Sequence, residues 1–530
     1  MKKQNFLLGR GERLTSSILV RSGGAPKEAP YTFGEARERL APMLSEAVSD
    51  VSKLPADACP GDRAVIMLTL NPEYLAKSYF PQDLFSQIGM ELLGSRPQKI
   101  KPEKRSRDRE PEETMSTQLF ASAPRSVLRN WSADLGKWPE SHKGASDLVG
   151  IEAISAPAPE NKIKGGLPRE GEIPMELVLH AGELELHVID QFWEFFKARR
   201  VPGTFRKRFF AQGLCFLEVV APAERAVEIA SFSPVRALRK MPELRFLRPT
   251  IRSSGIPTVA PELPPLLPIV NSPAVAIFDG GIPATHPITR WVTPFEFPGM
   301  SPATAELLEH GVGVSSAALF GHIDPKSPIP APFSKIDHYR VIDSSPEQNP
   351  YELYEVLERI EVVLSSRKYD FVNLSIGPCL PIEDDEIHAW TAVLDDRLAH
   401  SDTLATIAVG NDGESDSITR LNRVQVPADC VNALAIGACD SREKVWSRAP
   451  YSSIGPGRSP GLVKPDLVEF GGAFERPFIV LNADMTPKLA ATGGTSFAAP
   501  SAMRMATGIR THFGNNLNNL AIRSLLVHTV

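Results

Sequence analysis

The sequence has little cysteine: five residues in 530, at Cys59, Cys215, Cys379, Cys430 and Cys439, with no Cys-x-x-Cys pair. An odd, scattered set excludes a disulfide framework and a zinc site, and it implies reduced thiols in a cytoplasmic protein. No apolar run approaches the roughly 18 residues that a membrane span needs. The first stretch, "MKKQNFLLGRGERLTSS", has a charged front but an apolar patch of only four residues, too short for the core of a secretory signal. A basic excess is missing too. The net charge of -5 gives no electrostatic case for nucleic acid or an anionic membrane. Nothing in the chain resembles a phosphate-binding P-loop. What remains is ordinary globular material, 42% hydrophobic and 23% charged, long enough for several domains.

Residues 1–60 read as an N-terminal arm with one helix near "FGEARERLAPMLSEAVSD". Residues 61–153 read as a small α/β module. "RAVIMLTL" is its buried strand, a helical stretch follows with an interruption at Pro81, and "MELLGSRPQKI" returns as a strand. The mixed-charge run 101–113 reads as a solvated loop, and 154–175 as a linker. Residues 175–250 alternate strand and helix: "MELVLHA", "DQFWEFFKARRV", "GLCFLEVVA", a helical segment from "PAERAVEIASFSP" onward, then "RFLRPT" as the closing strand. That order predicts a ferredoxin-like module. Residues 256–273 carry prolines at 257, 261, 264, 265, 268 and 273, which predicts a stiff extended connector.

The block 274–530 differs. Short runs such as "AVAIFDGG", "DFVNLSIG", "LATIAVGND" and "ALAIGACD" are apolar throughout, as strands of a parallel sheet covered by helices on both faces must be. They end in Gly, Asp or Asn, and ligands collect at the carboxyl ends of such strands.

Four segments of this block carry chemistry. Asp279 follows an apolar strand in "AIFDGGI", where a carboxylate can orient an imidazole; its plain reading is a turn or cap residue. His310 opens the small-residue run "HGVGVSSAA", suited to a helix lying close against another backbone; a structural histidine reads equally from it, as from His286 and His322. Asn411 in "AVGNDG" can donate to a developing oxyanion, an interaction worth about 2.7–4 kcal/mol in the transition state. It reads otherwise as a turn residue. Ser496 in "GGTSFAAPSAM" begins a helix, where free N–H groups and the dipole favour an anion. Pro500 is expected early in that helix, where its missing N–H matters little. Asp, His and Ser in this chain order are the residues that nucleophilic acyl transfer requires.

The block resembles the catalytic domain of subtilases, the subtilisin-like serine peptidases, over roughly residues 270–530. "FDGGI" resembles their Asp box, "HGVGVSSAA" their His box and, most specifically, "GGTSFAAPSAM" their Ser box. "NLSIG" resembles the substrate-pairing edge, "AVGNDG" the oxyanion box, "KPDL" a common strand entry and "IRSLLVHTV" the closing helix. The His box departs from the family pattern, with Val312 and Gly313 where Thr and His are usual.

The resemblance implies a serine endopeptidase with Asp279, His310 and Ser496 as its triad and Asn411 as oxyanion donor. A peptide substrate would pair with Leu374, Ser375, Ile376 and Gly377. The mechanism requires no cofactor and no metal; the family often binds structural calcium, but no Asp-rich loop here stands out as a site for it. The 175–250 module has the size and strand order of the inhibitory pro-domain of many subtilases, so it is expected to restrain the peptidase or help it fold. The whole layout, with "YLAKSYFPQDLF", is similar to bacterial subtilases paired with a separate AAA-type ATPase, which implies such a partner. A subtilase fold kept as a non-catalytic peptide-binding or scaffold module is the alternative, its foothold being the altered His box. An esterase is disfavoured because a strand-pairing edge suits peptides.

Overall fold

The computed structural model describes residues 29–106, 109–245, 261–265, 272–343, 349, 351–459 and 461–528. The first 28 residues, the end of "RFLRPT" and most of the proline-rich connector lie outside this set.

The first layer begins with α1 (Phe33–Lys53). Thr32 and Glu35 form a reciprocal capping box at its start, which satisfies two backbone N–H groups that have no helical acceptor. A four-stranded antiparallel sheet follows: β1 (Arg63–Leu70), β2 (Glu91–Ile100), β3 (Thr114–Pro124) and β4 (Ile151–Ser155), in the order β2-β3-β1-β4. Helices α2 (Gln82–Ile88) and α3 (Arg125–Leu135) complete the layer, with Pro81 as the N-cap of α2. Leu40, Leu44 and Val51 of α1 share a core with Ile66 and Leu68 of β1. The helix expected in a separate arm is therefore part of this module, because its apolar stripe needs a partner.

The second layer holds α4 (Pro159–Lys162), β5 (Ile163–Lys164), β6 (Glu172–His180), α5 (Leu186–Ala198), β7 (Thr204–Ala211), β8 (Leu214–Pro222), α6 (Ala226–Ala230) and β9 (Val235–Lys240). The sheet order β5-β9-β6-β8-β7 contains a β-α-β-β-α-β unit, the ferredoxin-like connectivity, with β5 added at one edge. Two elements differ from the sequence reading. β7 was not foreseen, because "TFRKRFFA" is an edge strand with charged residues on its exposed side. It joins β8 through Gln212 and Gly213, both at positive φ (49° and 79°), as a tight hairpin turn demands. "VRALRK", expected as helix, is β9, held between β5 and β6.

This sheet is buried on both faces. Leu177, Leu217 and Val219 pack with Phe192, Phe195 and Phe232 around the module's own helices. Val178, Phe209, Phe216 and Ala237 face the other way and pack on the C-terminal domain, where the Phe209 ring meets Tyr354 edge-on at 5.1 Å. After β9 the chain forms a two-residue strand, β10 (Leu244–Arg245).

The C-terminal domain contains β11 (Val275–Asp279), β12 (Val292–Glu296), α7 (Ala305–Phe320), β13 (Ile336–Arg340), α8 (Glu352–Ser366), β14 (Phe371–Leu374), β15 (Gly377–Pro378), α9 (Ala389–Ala399), β16 (Leu404–Ala408), β17 (Ala433–Cys439), β18 (Leu467–Phe470), the hairpin β19–β20 (Phe478–Leu481 and Leu489–Thr492), α10 (Thr495–Phe513) and α11 (Asn519–His528). Seven strands form one parallel sheet, β12-β13-β11-β14-β16-β17-β18. Helices α8 and α9 cover one face, and α7, α10 and α11 the other. Both faces of each central strand are therefore dry, which explains the unbroken apolar runs. No helix among the described residues is long and apolar enough to cross a membrane.

Candidate active site

Three strand ends and two helices meet at the carboxyl edge of the parallel sheet. Asp279 is the last residue of β11 and is fully buried. Its Oδ1 accepts from the Gly280 N–H at 2.7 Å and lies 2.7 Å from His310 Nδ1. The imidazole Nδ1–H thus donates to the carboxylate, which sets the tautomer and makes Nε2 the basic nitrogen.

The small residues of the His segment are what allow this approach. Helix α7 lies against the turn after Asp279 so closely that a Cβ on Gly311 would strike the carbonyl of Gly281, and one on Gly280 that of Leu307. Gly281 has φ 109°, a conformation open to glycine and strained for other residues. The departures at 312 and 313 have a packing cause. Val312 is in the core beneath the sheet, and a Cβ on Gly313 would sit 3.1 Å from the Phe497 ring.

That ring brings the Ser segment alongside. The His310 and Phe497 rings are 6.1 Å apart, so His310 flanks the first turn of α10, where Ser496 is the second residue. Ser496 is 1% exposed, and its Oγ has no hydrogen-bond partner among the described residues. Pro500 is the sixth residue of α10, not a first-turn residue as the sequence reading had it. It cannot donate to the carbonyl of Ser496, four residues back. The Ser375 hydroxyl donates to that carbonyl instead, at 3.0 Å.

Asn411 follows β16 and meets the same helix start. Its Oδ1 accepts from both the backbone N–H and the hydroxyl of Thr495, each at 2.9 Å. With the oxygen fixed, Nδ2 is directed over Gly494, whose added Cβ would lie 3.1 Å from it. A donor amide therefore stands beside the N-terminus of α10.

His338 was missed by the sequence reading, because "IDHYR" lacks the glycine-rich context of the other segments. It is fully buried on β13. Its Nε2 accepts from the Gly281 N–H at 3.1 Å, and Nδ1 lies 2.9 Å from Ser315 Oγ. Burial holds its pKa down to about 4, with Asp279 pulling it upward and His310 adding to the depression. A neutral imidazole thus supports the turn behind Asp279. His286 and His322 are structural: His286 Nδ1 accepts from Ile288 N, and His322 Nδ1 from Ile479 N.

Of residues 374–377, Leu374 lies within the parallel sheet and Gly377 is paired with the N-terminal half. β15 pairs antiparallel with β10, Arg245 opposite Gly377 and Leu244 opposite Pro378, and the Cys379 N–H donates to the Glu243 carbonyl at 2.8 Å. Around this pairing the second layer is fixed by buried ion pairs. Glu386, 1% exposed at its side chain, binds Arg236 at 2.7 Å and Arg96 at 3.0 Å. Arg239 binds Glu383 at 2.6 Å and Glu176 at 3.1 Å, and Tyr354 donates to Glu176 at 2.7 Å.

No curated protein matches the sequence. Among solved structures, the chain is similar to the epidermin leader peptide processing serine protease EpiP of Staphylococcus aureus (16% identity over 67% of this chain and 92% of that one, TM-score 0.43). It is similar to the self-cleaved protease domain of PatA (20% identity, 48% and 88%, TM-score 0.35) and to a cold-adapted subtilisin-like serine proteinase (17%, 48% and 81%, TM-score 0.33). The model of the Subtilase family, Peptidase_S8, matches residues 271–530. The C-terminal part of the chain, from residue 271 to its end, therefore carries a subtilase-family peptidase domain.

Proposed function

We propose that the chain is a serine endopeptidase in which Ser496 attacks the peptide carbonyl, His310 takes its proton and delivers it to the leaving amine, and Asp279 holds the imidazole. The observation that carries this reading is the 2.7 Å contact between Asp279 Oδ1 and His310 Nδ1 beside the first turn of α10. Asn411 Nδ2 and the Ser496 N–H are the donors for the oxyanion, supported by the two bonds that pin the Asn411 oxygen to Thr495. Electrostatic help of this kind needs donors that are fixed before charge develops, and these are. The match of residues 271–530 to the Subtilase family supports the reaction class.

The N-terminal half restrains the enzyme in this reading. Support comes from β10, which lies on the edge that a substrate strand would use, and from the buried sheet face behind it. On the sequence resemblance, the trigger for release belongs to a separate AAA-type ATPase.

The test is labelling with a fluorophosphonate, which reacts only with an activated serine. Labelling of the full chain or of Glu386→Gln that vanishes on Ser496→Ala is the expected result. No labelling in any folded variant would overturn the enzyme reading in favour of a peptide-binding module.

A further inference from the structure

The seam between the two N-terminal layers holds a cavity of about 290 Å³. Val51 and Leu54 at the end of α1, Val65 of β1 and linker residues 156–159 wall it, and Lys162, Ser231 and Ser233 face it with polar groups. Ser233 ties the layers together at this point. Its Oγ accepts from the Val65 N–H at 2.9 Å, and its N–H donates to the Ala58 carbonyl at 2.8 Å. The first bond uses Oγ as an acceptor and leaves the hydroxyl proton to be given. Lys162, the last residue of α4, is only 4% exposed. Its Nζ donates to the carbonyls of Phe232 at 3.1 Å and Ser233 at 3.4 Å. An ammonium carries three N–H donors, so one remains. Among the described residues Nζ forms no ion pair, and Asp50 on the cavity rim is taken by Lys53 at 2.9 Å. A cation withdrawn from water is costly until a counter-charge answers it. Burial accordingly pulls the Lys162 pKa down to about 7, opposed only by the Cys59 thiol. On the same seam His180, whose ring lies 4.8 Å from that of Phe120, is kept neutral by burial, with Arg236 and Lys162 adding to the depression.

Size and chemistry together describe the occupant. The volume is at the small end of the range for ligand pockets, which are mostly apolar with a few placed polar groups. Two donors, the third N–H of Lys162 and the hydroxyl of Ser233, lack an acceptor, and the remaining wall is hydrocarbon. A ligand that only accepts at one end and is apolar elsewhere answers both. One buried cation matches one negative charge; the second charge of a phosphate monoester would stay uncompensated. We infer that this cavity binds a small monocarboxylate with a short apolar body, its carboxylate on Lys162 and Ser233 and its chain against Val51, Leu54 and Val65. The inference is independent of the peptidase reading, because the site is built wholly from the N-terminal half. The occupant touches α1, β1 and the linker as well as Ser233, so its binding holds the first layer on the second.

The test is calorimetric titration of the full chain with hexanoate, hexanol and hexyl phosphate, beside thermal melts with each. Hexanoate is expected to bind at least about tenfold tighter than hexanol, the scale of one charge-assisted hydrogen bond, and to raise the melting temperature. It should also bind tighter than hexyl phosphate. Lys162→Met keeps the length and removes the charge, so the preference for hexanoate over hexanol should vanish while hexanol still binds. That change leaves the Phe232 and Ser233 carbonyls without their donor. Should it fold poorly, Ala158→Leu narrows the cavity from the linker and keeps Lys162; it should weaken hexanoate and hexanol alike. Ser496→Ala should bind hexanoate as wild type does, which keeps this result separate from any failure of the peptidase reading. Absence of hexanoate binding at millimolar concentration, equal affinities for hexanoate and hexanol, or hexanoate binding unchanged in the folded variants at 162 and 158 would overturn the inference. The peptide acetyl-Leu-Ala carries the same carboxylate on a chain end, and tighter binding of it than of hexanoate would overturn the assignment to a small acid.

Discussion

The hydroxyl of Ser375 donates to the backbone carbonyl of Ser496 at 3.0 Å, supplying the hydrogen bond that Pro500 withholds from α10. The segment after β14 and the start of α10 are thereby joined by one bond. Ser375→Ala leaves a buried carbonyl unsatisfied, which costs about 1–3 kcal/mol. Thermal melts are expected to show that loss, together with a lower fluorophosphonate labelling rate. Pro500→Ala restores a helical donor, so in a double-mutant cycle the two changes together should be clearly less harmful than their sum.

Asp279→Asn keeps the shape of the buried side chain and the oxygen that takes the Gly280 N–H and faces His310 Nδ1, but it removes the negative charge that stabilises a protonated imidazole. Peptide hydrolysis, measured in a background where Arg245 has been replaced, should fall on the order of 10⁴-fold. The melting temperature should change far less than the rate.

Asn411 has two separable ends. Asn411→Asp retains an oxygen for the two Thr495 donors and removes the Nδ2 donor; Asn411→Ala removes both. Each is expected to lower kcat by about 10²–10³. Only the alanine variant should lose appreciable stability. Equal melts and unchanged kcat in Asn411→Asp would remove Asn411 from the oxyanion site.

Glu386 is bound by Arg236 of the second layer and Arg96 of the first, at the buried contact of both with the C-terminal domain. Removing one partner of such a cluster strands the other charges and costs about 3–5 kcal/mol. Glu386→Gln should loosen the N-terminal half, seen as faster limited proteolysis of residues 172–245. In the same sample, the Ser496 labelling rate should rise at least several-fold.

His338 is neutral in the folded protein because burial holds its pKa to about 4, whereas an unfolded histidine titrates near 6.5. Between these values the unfolded chain binds the extra proton, so folding stability drops as the pH falls from about 6.5 to about 4 and levels off below. With about 1.4 kcal/mol per pKa unit, the loss from this residue is a few kcal/mol. Denaturant melts of wild type and His338→Asn over that range should diverge, the variant being flatter.

Much of the C-terminal domain could be read from the sequence, because strands buried on both faces leave continuous apolar runs and the four chemical segments keep their glycines beside them. The glycines proved to be contacts: Gly311 on Gly281, Gly313 on Phe497. What escaped notice was two-sided or non-local. The edge strand "TFRKRFFA" hides its pattern under charge, and "VRALRK" looks helical until its neighbours β5 and β6 hold it on both sides. Arg245 and Gly377 are 132 positions apart, and the pairing of β10 with β15 brings them together.

The segment on the cleft belongs to the same polypeptide as the cleft. A tethered occupant competes at an effective concentration in the millimolar range, whatever the protein's dilution. If the segment's own affinity for an emptied cleft were micromolar, a free peptide would thus bind the intact protein roughly a thousandfold more weakly. Diluting the protein should never release it, whereas pulling on or cutting the tether should release it at once.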